Sequence, residues 1–218
     1  MHRYPIRVAA QLAQSSYSAG THPSVAPRLA RSLDQGDVQA HLLDNGVLLI
    51  PGSNSLMDYL KFNLRVMWIA GKKYSFSDPA CEKGASGTIW HQGFLRHAKV
   101  IYDWVDSGGT RPTYIIGHSL GAAATQILTK SWGVAGIGFA APRPRKTRGP
   151  VKNDGYCLLI NRDDDPVTGL PAQFNHMGIV HRARASRSSL GPDHAMKHYR
   201  AVVEEEQGSG ILGEHWPG

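Results

Sequence analysis

An α/β architecture on a largely parallel sheet is what this sequence predicts, and three observations carry the prediction. Short β-branched or aromatic runs alternate with longer segments of helical spacing, the order that lays helices against a parallel sheet. One of these runs, Pro112-Thr-Tyr-Ile-Ile, passes through Gly117-His118-Ser119-Leu120-Gly121 straight into alanines, a strand–turn–helix order. The chain has 218 residues, 41% of them hydrophobic and 19% charged, which suits one domain with a sizeable core. No repeat, linker or low-complexity stretch divides it, so residues 1–218 are expected to form a single domain.

In chain order, residues 2–17 place Ile6, Ala9, Ala10, Leu12 and Ala13 on one helical stripe. Pro23 and Pro27 interrupt the next segment. Val38 to Leu43 and Val47 to Ile50 flank Asp44-Asn45-Gly46, and an Asn-Gly pair between apolar runs predicts a hairpin. Leu56 to Ala70 is apolar with helical spacing and reads as a helix, whereas residues 71–88 read as loop. Phe94 to Val105 predicts an amphipathic helix ended by Ser107-Gly108-Gly109. Then come a strand over 112–116, the Gly-rich turn, and a helix to Trp132 stopped by Gly133. Val134 to Ala141, Tyr156 to Ile160 and Gly178 to Ala185 are predicted strands, and residues 195–206 a helix. Residues 207–218 are Gly-rich and are expected as a flexible tail.

Composition narrows the class further. No apolar run reaches the roughly 18 residues of a membrane span, and Met1-His-Arg-Tyr-Pro-Ile-Arg7 has no signal-peptide pattern. The expectation is a protein that is cytoplasmic as synthesised. Cys81, in a loop, and Cys157, in a strand, are too few for a disulfide framework and read as reduced thiols. Net charge is +7, with Arg143, Arg145, Lys146, Arg148 and Lys152 in one stretch. That 143–152 loop lacks interleaved aromatics and any nucleic-acid module, so no nucleic acid is expected. It reads as a solvated basic loop whose best use is transient contact with an anionic membrane surface.

The chemistry starts at Ser119. Glycines at 117 and 121 let the backbone turn sharply and leave the Ser119 hydroxyl exposed at a strained tip, with the Leu120 N–H facing a forming oxyanion. An idle serine on a Gly-rich turn is the alternative. A serine hydroxyl needs a base, usually histidine with an unperturbed pKa of about 6.5, and the histidine needs an acid to fix its tautomer. After Ser119 the acid lies in Leu158-Leu-Ile-Asn-Arg-Asp163-Asp164-Asp165-Pro166, a buried-type strand running into three carboxylates. Asp165, held extended before Pro166, competes with Asp163 and Asp164. No other acidic cluster offers ligands for a metal ion, and no cofactor motif is present. Among downstream histidines, His194 in the turn Gly191-Pro-Asp-His194 leads and His176 is second. His181 is on a strand, His198 on a helix and His215 in the tail.

With these residues in place, the chain from about residue 38 to 200 resembles the class 3 lipases, the family of the small filamentous-fungal triacylglycerol lipases. Gly117-His-Ser-Leu-Gly121 with its alanines matches the family's elbow, and Gly138-Phe-Ala-Ala-Pro142-Arg resembles the strand after it. Asn161-Arg-Asp-Asp-Asp165-Pro-Val resembles the acid loop and assigns Asp165. Asp193-His194 with Tyr199 resembles the base motif and assigns His194, while Phe174-Asn-His176 looks like the family's Tyr-x-His, which is not the base. Pro51-Gly52-Ser53 followed by Asp58-Tyr59-Leu60 resembles its Arg-Gly-Ser/Thr loop and implies Ser53 as an oxyanion-hole donor beside Leu120. His91-Gln-Gly93-Phe94 resembles its His-x-Gly-Phe. Pro51 stands where the family has Arg, Ala141 where it has Gly, and the fungal disulfides have no counterpart. The chain is therefore similar to a small bacterial or phage-type member.

The resemblance implies an α/β-hydrolase fold and a serine ester hydrolase of lipid esters: lipase, phospholipase or carboxylesterase. Ser119 would be nucleophile, His194 base and Asp165 its orienting acid. The apolar set over 56–69 falls where that family carries a lid, and an ordinary core helix is the alternative. The same triad also serves thioester hydrolysis or acyl transfer, and a catalytically silent hydrolase fold can serve as a binding protein.

Overall fold

Five consecutive buried residues, Tyr114–His118, form the central strand; a run without polar alternation belongs where both faces of a sheet are covered. The computed structural model describes residues 3–53, 66–69, 71–75, 79–184 and 194–217. Among them the strands are β1 (Tyr4–Pro5), β2 (Leu29–Gln35), β3 (Val38–Leu43), β4 (Val47–Ile50), β5 (Val66–Ile69), β6 (Lys72–Ser75), β7 (Cys81–Lys83), β8 (Ile89–His91), β9 (Tyr114–His118), β10 (Gly136–Phe139), β11 (Cys157–Arg162), β12 (Ile179–Ala183) and β13 (His215–Trp216). The α-helices are α1 (Ile6–Ser15), α2 (Gln92–Ser107), α3 (Leu120–Trp132) and α4 (Met196–Gly208).

Seven strands make the main sheet in the order β12-β11-β10-β9-β4-β3-β2. β4, β9, β10, β11 and β12 are parallel, and β2 and β3 add an antiparallel meander. The Asn45-Gly46 turn joins β3 to β4, with His41 opposite Leu49 and Leu42 opposite Leu48.

Period-two alternation sorts the strand side chains into two cores. Leu48, Ile50, Ile115 and Leu159 pack with Phe94, Ala98 and Ile101 of α2 and with Ala122, Ala123 and Ile127 of α3. Val47, Leu49, Ile116, Leu158 and Ile160 pack with Ile6, Ala9 and Ala13 of α1 and with Tyr199, Val202 and Val203 of α4. The result is an α/β-hydrolase architecture with helices on both faces of a mostly parallel sheet. The loops after β4, β9 and β11 leave from the carboxyl edge, where open parallel sheets place ligand-facing residues.

Four expectations need correction. Residues 66–69, predicted as helix, are strand β5 paired with β6; a short apolar run does not distinguish strand from helix by spacing alone. The rest of the 56–69 stretch lies outside the described residues. Within 71–88, expected as loop, β6 and β7 form short hairpins, and Cys81 is on β7. β2 was not foreseen; it is an edge strand without a fully buried side chain. Its Arg31 lies 4.9 Å over the Trp104 ring. The tail from Gln207, expected as flexible, is tied down: β13 pairs with β1, Ile6 N–H donates to Glu214 O, and the Tyr114 hydroxyl donates to Trp216 O. Both thiols are free, and burial pushes Cys157 up to about 12. Among the described residues no helix is long and apolar enough to cross a membrane.

Candidate active site

The turn after β9 forces Ser119 to φ 56°, ψ −121°, a positive φ on a residue with a Cβ. Such a conformation costs on the order of 1–3 kcal/mol and persists only where the surroundings impose it. Here Ser119 N–H donates to Phe139 O at 2.9 Å, and Ser119 O accepts from Ala122 and Ala123 N–H. The flanking glycines allow the close approach. A Cβ on Gly121 would run into the Ile50 carbonyl, and one on Gly117 would meet Thr125 Oγ1 and the Gly121 backbone.

Asp165 follows β11 and caps the 3₁₀ turn Pro166–Gly169, its Oδ1 accepting from Val167 N–H at 3.0 Å. Its Oδ2 accepts from the Tyr199 hydroxyl at 2.7 Å and from His194 Nδ1 at 2.8 Å. Burial alone would raise the Asp165 pKa. Hydrogen bonds from His194, the His194 charge, Tyr199 and the Val167 N–H outweigh it and hold the carboxyl below its ordinary value. His194 Nε2 lies 2.7 Å from Ser119 Oγ. Ser119 and His194 are each only 1% exposed, so the hydroxyl expected at an exposed tip is instead buried.

The other sequence candidates sit elsewhere. Asp164 makes a two-pronged pair with Arg162, at 2.9 and 2.7 Å, which holds its carboxyl low. Asp163 faces Arg182 and Arg184. His176 is close to Ala141 O at 2.9 Å, and burial followed by the nearby Arg143 and Arg182 charges lowers it to about 4. Asn161 completes that clamp, accepting from Ala141 N–H at 2.7 Å. His181 pairs with Glu206, and the His198 carbonyl accepts from Arg162. His215 is in β13. No three His, Cys, Asp or Glu side chains group as a metal site among the described residues.

The loop after β4 runs beside the serine: a Cβ on Gly52 would lie 2.9 Å from Ser119 Cβ. The neighbouring Ser53 is buried, and its hydroxyl donates to Asp37 Oδ1 at 3.2 Å. Leu120 is the first residue of α3, whose leading N–H groups have no partner within the helix itself. Two groups in this neighbourhood had no assigned role at the sequence level. His118, inside the elbow motif, directs Nε2 at the His194 carbonyl, 2.9 Å away. Tyr17, beyond α1, accepts from Gly52 N–H at 2.9 Å. No local pattern marks Tyr17, because its partners are distant in the chain.

No family model matches the chain, and no curated protein matches it in sequence. Solved structures do match its fold. Lipase II from Rhizopus niveus is 13% identical with a TM-score of 0.55, covering 88% of each chain. Lip2 lipase from Yarrowia lipolytica is 14% identical with a TM-score of 0.54, over 87% of this chain and 80% of that one. The Rhizomucor miehei lipase–propeptide complex is 14% identical with a TM-score of 0.51, over 88% and 74%. These similar proteins are fungal and lend no support to a bacterial or phage origin. At such identity the likeness speaks to architecture: this chain has the α/β-hydrolase fold of the fungal lipases.

Proposed function

We propose that the chain is a serine ester hydrolase acting on the carboxylic esters of lipids. The observation that carries this reading is the hydrogen-bonded line from Asp165 through His194 to Ser119, at 2.8 and 2.7 Å. Asp165 fixes the His194 tautomer and stabilises the imidazolium. His194 Nε2 takes the Ser119 proton as Oγ attacks the ester carbonyl. The backbone N–H groups of Leu120 and Ser53 hold the oxyanion, joined by the Ser53 hydroxyl once it turns from Asp37. His194 then protonates the leaving alcohol, and water hydrolyses the acyl-enzyme.

What favours lipid esters is that the similar structures are lipases. A closed serine requires the site to open. Of the apolar 56–69 stretch, residues 66–69 are strand β5 with Ile69 in the core, so the proposed lid is confined to the remainder, and a lid makes rates climb when substrate aggregates.

The test is hydrolysis of p-nitrophenyl esters from acetate to palmitate, below and above the micellar transition, with wild type beside Ser119→Ala. The expected result is activity that favours long chains at the interface and falls by about a million-fold in the variant. Undiminished turnover in Ser119→Ala would sink the mechanism. Activity on short chains alone would name an esterase, and transfer to added thiols or alcohols an acyltransferase. No turnover of any ester would leave a silent hydrolase fold.

A further inference from the structure

Helix α2 turns one face to the core and a different one to a cleft. Phe94, Ala98, Ile101 and Val105 pack inward. Gln92, Arg96, Lys99 and Asp103, spaced at helical intervals, line the cleft. Its other wall is the β5–β6 hairpin, where Ile69 is buried and Lys72 and Lys73 are exposed. The cleft encloses about 500 Å³, and its charged lining is Lys72, Lys73, Arg96 and Lys99 against the single carboxylate of Asp103. Arg96 pairs with Glu82 at 2.8 Å and Lys99 with Asp103 at 3.2 Å. Lys72 and Lys73 make no ion pair among the described residues. With Arg96 and Lys99 paired, the excess positive charge of the cleft comes from Lys72 and Lys73, and an anion bound beside them relieves their mutual repulsion.

The 143–152 loop, where the sequence suggests an anionic contact, is engaged internally for much of its charge. Arg145 is 6% exposed and donates to Gly149 O at 2.8 Å, and Lys146 Nζ lies 5.1 Å over the Phe174 ring. One end of the α2 cleft, at Gln92, lies at the edge of the sheet that carries Ser119. α2 leads back into β9, so its Gln92 end lies at the carboxyl edge, and His91 N–H donates there to Pro144 O, beyond β10, at 2.7 Å.

We infer that the cleft between α2 and the β5–β6 hairpin docks the phosphate headgroups of an anionic phospholipid surface. The inference rests on the lipid-ester reading: headgroups held at Lys72 and Lys73 bring a bilayer against the edge of the molecule where Ser119 sits.

The experiment is cosedimentation of the full chain with vesicles of dialkyl ether lipids, phosphatidylcholine alone or mixed with phosphatidylglycerol. Ether lipids carry no ester, so failure of binding and failure of ester hydrolysis are read separately. Wild type is compared with Lys72→Gln/Lys73→Gln and with Arg148→Gln/Lys152→Gln, all exposed positions outside the serine site. Expected is a preference for phosphatidylglycerol vesicles that falls about thirtyfold in the Lys72/Lys73 variant at low salt. Its hydrolysis of a soluble short-chain ester stays at the wild-type rate, and the Arg148/Lys152 variant keeps most of the binding. Equal partitioning by wild type and the Lys72/Lys73 variant overturns the inference, as does a loss confined to the Arg148/Lys152 variant. Tighter binding of a single-stranded oligonucleotide than of the anionic vesicles overturns it too, by naming a different occupant.

Discussion

The Tyr17 hydroxyl lies 2.5 Å from His118 Nδ1, joining the first helical segment to the serine elbow across 101 positions of chain. The partners assign the protons. His118 Nε2 faces the His194 carbonyl, which can only accept, so Nε2 carries hydrogen. Burial, reinforced by the His194 charge, lowers His118 to about 3, so the ring is neutral and Nδ1 accepts. Tyr17 therefore donates to His118 while its oxygen accepts from Gly52 N–H. One chain of hydrogen bonds thus runs from the loop beside Ser119 to the backbone of His194.

Tyr17→Phe removes the middle of that chain and strands two buried polar groups, at a cost of about 1–3 kcal/mol each. The expected outcome is a lower urea midpoint and a kcat reduced by one to two orders of magnitude, with KM for a soluble ester little changed. Wild-type kcat in a folded Tyr17→Phe protein would show that the chain of bonds positions nothing.

Asp165→Asn keeps the shape of the acid but places an amide among three donors, His194, Tyr199 and the Val167 N–H. His194 then loses the acceptor that fixes its tautomer. Ester turnover is expected to fall by about 10⁴-fold with the fold retained. Asp164→Asn, which touches Arg162 and not His194, is expected to keep turnover near wild type. The reverse ranking would make Asp164 the acid.

Acid should unfold the protein from an unusually high pH. Burial lowers His97 and His118 to about 3 and His176 to about 4, against about 6.5 in an unfolded chain. Between those values the unfolded state binds more protons, so stability is complete above pH ~6.5 and falls as pH drops toward the folded pKa values. Each such histidine adds a slope of up to about 1.4 kcal/mol per pH unit. Among the described residues the buried His97 Nδ1 has no partner, so His97→Leu removes one slope without breaking a bond to that atom. Urea melts at pH 5 and pH 8 should show the variant gaining relative to wild type at pH 5. An equal shift at both pH values would contradict the assignment.

Gly121→Ala directs a methyl group at the Ile50 carbonyl, which is backbone at the end of β4 and has no flexible side chain to yield. Overpacking of this kind costs about 1–3 kcal/mol, and the displaced segment leads straight into Gly52 and Ser53. Thermal unfolding should move down by several degrees and turnover should fall with it. An unchanged melting temperature would mean that the elbow and the β4 loop do not touch as described.

Much of this molecule is legible in the sequence because much of it is set locally. Asn45-Gly46 makes its hairpin through turn geometry, Tyr114–His118 is a strand buried on both faces, and the alanines after Gly121 form a helix that packs closely on the sheet. These follow from backbone sterics and from apolar periods that act over a few residues. The tertiary structure decided what depends on distant partners. Asp163, Asp164 and Asp165 are chemically alike and adjacent, yet Arg182 and Arg184 face the first, Arg162 pairs with the second, and His194 and Tyr199 meet the third. Residues 66–69 became a strand because a partner strand lay beside them, and Tyr17 met His118 only because α1 packs against the same face of the sheet as α4. Local spacing determines which side chains a segment can present; burial against remote segments determines which of them meet.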